Sequence, residues 1–119
     1  MANQIAVGID ISKKTMDVAI GHEQSTAIFS NDGAGHQALI AALKNHPVSL
    51  IVMEATGQYQ LACACALQAA GFAVVVINPR QARDFAKAMG RLVKTDSVDA
   101  RVLAELAQVL NLRPDRDRF

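Results

Sequence analysis

Between residues 5 and 11 large apolar side chains alternate with small or polar ones, and residues 16–20 repeat the alternation. Period two is the mark of a strand with one face turned to a core. Residues 25–29 have weaker strand character, and the connectors Ser12-Lys13-Lys14 and Gly21-His22-Glu23-Gln24 are of hairpin length. Three consecutive antiparallel strands are therefore predicted. After Asn31-Asp32-Gly33 the period changes: Ala34, Ala38, Leu39, Ala42 and Leu43 recur at helical spacing until His46-Pro47 stops them. Residues 49–53, a serine followed by four apolar residues, and the continuous apolar run 72–77 read as strands buried on both faces. Between them an Ala-rich helix is expected over residues 59–70, closed by Gly71. Asn78 is a good cap and Pro79 suits a first turn, so a further helix should run from Pro79 to about Met89, bent or broken at Gly90. Thr95 is placed to cap a last helix carrying Val98, Val102, Leu106 and Val109, with Leu103 and Leu110 beside them.

This order, three antiparallel strands and then alternating helices and strands, is what an RNase H-like α/β domain requires: a mixed five-stranded sheet with helices on both faces. Other α/β arrangements fit the same periodicity. At 119 residues and 12.7 kDa the chain has the size of one domain with one core, here residues 1–112. Residues 113–119 lack periodicity and are expected to be a linker or a cut end. Aromatic residues make up only 4%, so Ala, Val, Ile and Leu must fill the core. Cys63 and Cys65 stand two apart, where a helix turns them to different sides; buried fillers are expected, with neither zinc nor disulfide. No signal peptide opens the chain and no apolar run approaches membrane-spanning length, so a soluble, cytosolic protein with no membrane partner is expected.

The net charge of +1 hides an uneven distribution, −2 over residues 1–79 and +3 over residues 80–119. Arg80, Arg83, Lys87, Arg91 and Lys94 recur at intervals of three and four, one side of a helix if it continues past Gly90. A solvated helix face explains this stripe; phosphate contact also does, and Lys13 is a weaker candidate of the same kind.

Four acids occupy less ordinary positions. Asp10 lies in an apolar strand on the face shared by Ala6, Gly8 and Ser12, small residues that leave room for another element to approach. Glu54 follows four apolar residues at the carboxyl end of a buried strand, where open α/β sheets commonly place ligands. Asp96 and Asp99, three apart, are neighbours on one helical surface in line with Leu103, Leu106 and Leu110. Carboxylates gathered in such places repel unless a cation neutralises them. Mg²⁺ prefers their oxygens, Mn²⁺ substitutes for it, and two such ions about 4 Å apart activate an attacking oxygen and stabilise a leaving one on phosphorus. Simpler roles remain open: a solvated edge Asp, a capping Glu, and acids that meet a helix dipole in its first turn. Asp17 shares the strand environment of Asp10 and is read as a polar-face residue, while His22, His36 and His46 lack ligand spacing and are expected in turns or at helix ends.

Taken in order, Gly8-Ile9-Asp10-Ile11-Ser12-Lys13, Met53-Glu54-Ala55-Thr56-Gly57, Asn78-Pro79 with its basic helix, and Lys94-Thr95-Asp96-Ser97-Val98-Asp99-Ala100 resemble one family. It is that of the amino-terminal RuvC-like domain of the DEDD transposases of bacterial insertion sequences, which includes the Piv invertase and the bridge-RNA-guided recombinases. The resemblance implies that Asp10, Glu54, Asp96 and Asp99 are a catalytic tetrad holding Mg²⁺ for DNA cleavage and exchange in transposition. It also implies DNA and a guide RNA as partners, a homo-oligomer, a bacterial cytoplasmic setting, and a following serine-bearing domain that this chain lacks.

Three other readings compete. Gly8-Ile9-Asp10-Ile11-Ser12-Lys13-Lys14 before a strand also resembles the phosphate loop of actin-like ATPases, which need two lobes and further glycine loops. A RuvC-like junction resolvase is the nearer enzymatic cousin. A non-catalytic nucleic-acid-binding or dimerisation module requires only structural carboxylates.

Overall fold

The computed structural model describes residues 4–21, 26–54, 57–90 and 99–111. Strands β1 (Ile5–Ile11), β2 (Thr15–Ile20) and β3 (Ala27–Ser30) form the expected antiparallel meander. Two strands, β4 (Val48–Glu54) and β5 (Val74–Ile77), extend it on the other side of β1, each pairing in parallel. The five-stranded sheet runs β3-β2-β1-β4-β5, so the mixed, RNase H-like α/β arrangement is the observed one. The carboxyl ends of the three parallel strands consequently lie at the same end of the sheet, with β1 at its centre.

Four helices cover the sheet: α1 (Gly33–Leu43), α2 (Leu61–Ala69), α3 (Pro79–Ala88) and α4 (Ala100–Asn111). Val7, Ile9 and Ile11 of β1 pack with Ile51 and Met53 of β4 against Leu39 and Leu43 of α1 and Cys63 and Leu67 of α2. The alternate residues Ala6, Leu50 and Val52 pack against Ala82 and Ala86 of α3 and Val102, Leu103 and Ala107 of α4. Strand periodicity thus separates two cores, one on each face.

Several details depart from the pattern. The buried side of α1 is His36, Leu39, Ile40 and Leu43, whereas Ala34 and Ala38 face solvent, because the helix docks through its larger side chains. Helix α2 starts at Leu61 instead of Tyr59, since a turn at residues 57–60, with Gly57 at a φ of +60°, first reverses the chain. Cys63 is buried, which pushes its thiol up to about 11, but Cys65 is exposed, so only one of the two cysteines is a core filler. Helix α3 has the expected start: Asn78 accepts from the Gln81 amide and Gln81 reciprocates in a capping box. It ends at Ala88, and Gly90 then takes a φ of +68°, so the helix stops instead of continuing to Arg91. Val109 of α4 is exposed, because the side turned to the sheet is the narrower ridge of Ala100, Leu103, Ala104 and Ala107.

That ridge makes a very close contact with the sheet. A Cβ built on Gly8 of β1 would overlap the Ala100 carbonyl oxygen and the Ala104 amide nitrogen of α4. Ala19, beside Gly8 in the β1–β2 register, packs on Ala100 and Ala104. Helix α4 therefore rests backbone to backbone on the centre of the sheet, and small residues on both partners permit it. Among the described residues no helix is long and apolar enough to cross a membrane. Residues 113–119, read as a linker or cut end, lie outside the described residues.

Gly8→Ala should destabilise the fold by about 1–3 kcal/mol and Gly8→Val by more, since added volume meets backbone that cannot turn aside. Urea unfolding measures this, and a neutral Gly8→Val would show that α4 shifts freely.

Candidate metal and nucleic-acid site

Helix α4, lying across Gly8, brings its first turn over the carboxyl end of β1, where Asp10 sits two residues on. The β1–β4 register pairs Ile9 with Met53, and its next step sets Asp10 beside Glu54 on the face beneath α3 and α4. On the other flank the hairpin register places Asp17 directly opposite Asp10. Asp10, Asp17 and Glu54 form a row across three adjacent strands, each partly buried. Burial, first of all, and then the charges of Asp17 and Asp99 push the Asp10 carboxyl above its ordinary range. Glu54 is pushed up as well, by burial and then by Asp10, while Arg83 of α3 opposes the rise.

Asp99 itself is not helical. It precedes α4, accepts from the Val102 amide at 3.0 Å through Oδ1, and meets Arg101 Nη2 at 3.4 Å through Oδ2. Asp99 is thus the cap of α4, an arrangement favoured because orphan amides and the helix dipole both attract a carboxylate. Its charge nevertheless reaches Asp10. Asp96, and with it the expected Asp96/Asp99 pair, lies outside the described residues, as do Thr95, Arg91 and Lys94. Among the described residues no three Asp, Glu, His or Cys side chains come together closely enough to hold a metal ion. The structure therefore brings Asp10 and Glu54 together, sets Asp99 within electrostatic reach and adds Asp17.

Asp17, read from the sequence as a polar-face residue, stands directly opposite Asp10. The signal was its strand alternation, the same as that of Asp10; the missing information was the hairpin register that sets the two face to face. His36 lies in the first turn of α1, at a helix end as expected; what spacing did not show is that it is buried there and hydrogen-bonded to Asn31.

Arg80 and Lys87 are exposed on α3, and Arg83 is partly buried towards Glu54. The helix starts at the carboxyl end of β5, so its cations begin at the same end of the sheet as the acids. Lys13 is exposed in the β1–β2 turn, three residues beyond Asp10, in a turn held by hydrogen bonds between Ser12 Oγ and Thr15.

Residues 7–118 match the family model of the DEDD transposases of the IS110 type, described as transposase. The chain belongs to this transposase family. The pilin gene-inverting protein of Moraxella bovis is 32% identical over 104 residues, an alignment covering 82% of this chain and 32% of that protein. The chain thus spans about a third of the length of this relative. All four acids of the expected tetrad lie within the transposase match.

The electrostatics give a signed expectation for this transposase domain. Asp10 and Glu54 have raised folded pKa values, so between the ordinary carboxylate pKa and those values the folded chain binds more protons than the unfolded one. The contribution of these two acids to metal-free stability is accordingly greatest below that window and falls as pH rises through it. Asp10→Asn should raise the melting temperature at neutral pH by about 2–5 °C in chelator and flatten this fall. Thermal unfolding between about pH 4 and pH 7 checks it; a lower melting temperature at neutral pH would mean that the Asp10 charge is already compensated.

Proposed function

We propose that this chain is the catalytic domain of a DNA transposase or invertase, in which Asp10, Glu54, Asp96 and Asp99 bind Mg²⁺ for cleavage and exchange of DNA strands. The observation that carries the reading is the closeness of Asp10 and Glu54 at the ends of adjacent strands, near enough for the charge of Asp10 to raise Glu54, with the charge of Asp99 reaching Asp10 from the start of α4. Hard carboxylate oxygens in a partly buried, mutually repelling group are the donor set that Mg²⁺ takes, with Mn²⁺ as its substitute. When bound, the metal would supply Lewis-acid polarisation of a phosphate and a more acidic water. The protein's own part is to hold these acids close on a rigid sheet, to balance Glu54 with Arg83, and to draw a polyanion with exposed cations.

On this reading Lys13, Arg80, Arg83 and Lys87, with Arg91 and Lys94, contact nucleic-acid backbone, since phosphate contacts fix position without reading sequence. Guidance by an RNA, assembly as a homo-oligomer and a partner domain bearing a serine belong to the same proposal and follow from the family resemblance. A bacterial cytoplasmic setting goes with it.

Mn²⁺ titration followed by electron paramagnetic resonance tests the metal, with anomalous diffraction from Mn²⁺-soaked crystals to locate it. Asp10→Ala and Glu54→Ala should each abolish or weaken binding by at least about tenfold. Binding to DNA that persists while no variant changes Mn²⁺ uptake would instead establish a non-catalytic module, the reading that the capping role of Asp99 favours. For the nucleic-acid surface, Lys87→Gln should weaken DNA binding to a similar degree across unrelated sequences and reduce the salt slope by about 1. A change confined to one sequence would contradict a backbone contact.

A further inference from the structure

Asn31, just after β3, touches three separate parts of the chain. Its Nδ2 donates to the carbonyl of Ser12 at 3.0 Å and to the carbonyl of Tyr59 at 3.0 Å. Its Oδ1 lies 2.8 Å from His36 Nε2, and its backbone amide donates to the carbonyl of Lys14 at 2.8 Å. Carbonyls only accept, so both amide hydrogens of the carboxamide must point at Ser12 and Tyr59. The oxygen then faces the imidazole, and His36 Nε2 must carry a proton. His36 is 7% exposed on α1, whose start is fixed by Asp32 accepting from the Gly35 amide at 2.8 Å. The histidine therefore sets which way round the Asn31 carboxamide stands.

The two carbonyls held by Asn31 belong to particular segments. Ser12 follows Asp10 by two residues as the chain leaves β1, and Tyr59 follows Glu54 by five as it leaves β4. The β1–β4 register is described as far as Ile9 with Met53, one step short of the acids. Beyond it, Asn31 bridges the two departing chains with a single side chain.

We propose that Asn31, oriented by His36, is a positioning residue that sets the separation of Asp10 and Glu54 without itself touching metal or nucleic acid. The proposal rests on the reading of those two acids as ligands. Groups hydrogen-bonded directly to metal ligands commonly change affinity by about 10- to 100-fold when removed; Asn31 acts one step further out, through the backbone of Ser12 and Tyr59, so the lower end of that range is expected. A fully satisfied, partly buried amide network also resists replacement, because each lost partner leaves a carbonyl unpaired.

The test uses the whole 119-residue chain with Asn31→Ala, His36→Leu and His36→Gln, and Ile40→Val as a mildly destabilised control on the same helix. Asn31→Ala and His36→Leu should weaken Mn²⁺ binding about tenfold, while His36→Gln, which keeps a nitrogen donor, and Ile40→Val should stay within about twofold of the parent. In the metal-free chain, amide exchange at residues 10–12 and 57–59 should rise about tenfold in Asn31→Ala, with the β2–β3 amides unchanged. Parental Mn²⁺ affinity in Asn31→Ala, or exchange that rises evenly over the sheet, would overturn the proposal. Should the parent chain bind no Mn²⁺, the metal reading fails by itself, and the exchange pattern alone decides whether the bridge holds the two strand ends.

Discussion

Helix α4 crosses the sheet over the glycine of β1, and the rest of the candidate site depends on that contact. With no side chain at Gly8, and with Ala19, Ala100 and Ala104 around it, the helix backbone settles directly on the sheet. A helix held at ordinary side-chain distance would carry Asp99 away from Asp10, and the charge of Asp99 would no longer be felt there. The close approach also explains the composition of α4, whose inner ridge is alanine apart from Leu103, while Val102, Leu106 and Leu110 pack beside it and Val109 is exposed. Tight packing of small residues leaves little freedom to slide, so the start of the helix is located as firmly as the strand beneath it.

The site itself is held together against its own electrostatics. Asp17, Asp10 and Glu54 stand in a row on three neighbouring strands, and burial adds to the repulsion that Asp10 and Glu54 feel. The sheet ladders and the apolar cores on both faces supply the rigidity that keeps these acids in place. Compensation comes from outside the row: Arg83 acts on Glu54, and Asp99 is tied down by the amide of Val102 and by Arg101. On the proposed reading, a cation entering this row would relieve that repulsion and stabilise the fold.

Transposase membership and these local observations agree at different levels. The match spans residues 7–118 and therefore all four helices and all of the sheet except the first two residues of β1. The local geometry says which acids share a surface and which cation faces them. Asp99 illustrates why both levels are needed, because a residue of the expected tetrad is at the same time the structural cap of the helix that brings it to the site.

Much of the architecture was legible in the chain because it rests on short-range physics. Alternation over residues 5–11 and 16–20 marked two strands, continuous apolar runs marked the two parallel ones, and Asn78-Pro79 marked a helix start to the residue. The small-residue face of β1 was readable too, and it foretold a close approach. Residue spacing could not show which element makes that approach, that α1 buries His36 and exposes its alanines, that α4 begins after Asp99, or that Asp17 confronts Asp10. These are matters of register and docking between segments far apart in sequence. Local propensity determines which element each segment forms. Only the packed sheet and its helices decide which side chains of those elements meet, because that depends on how shapes fit across the core.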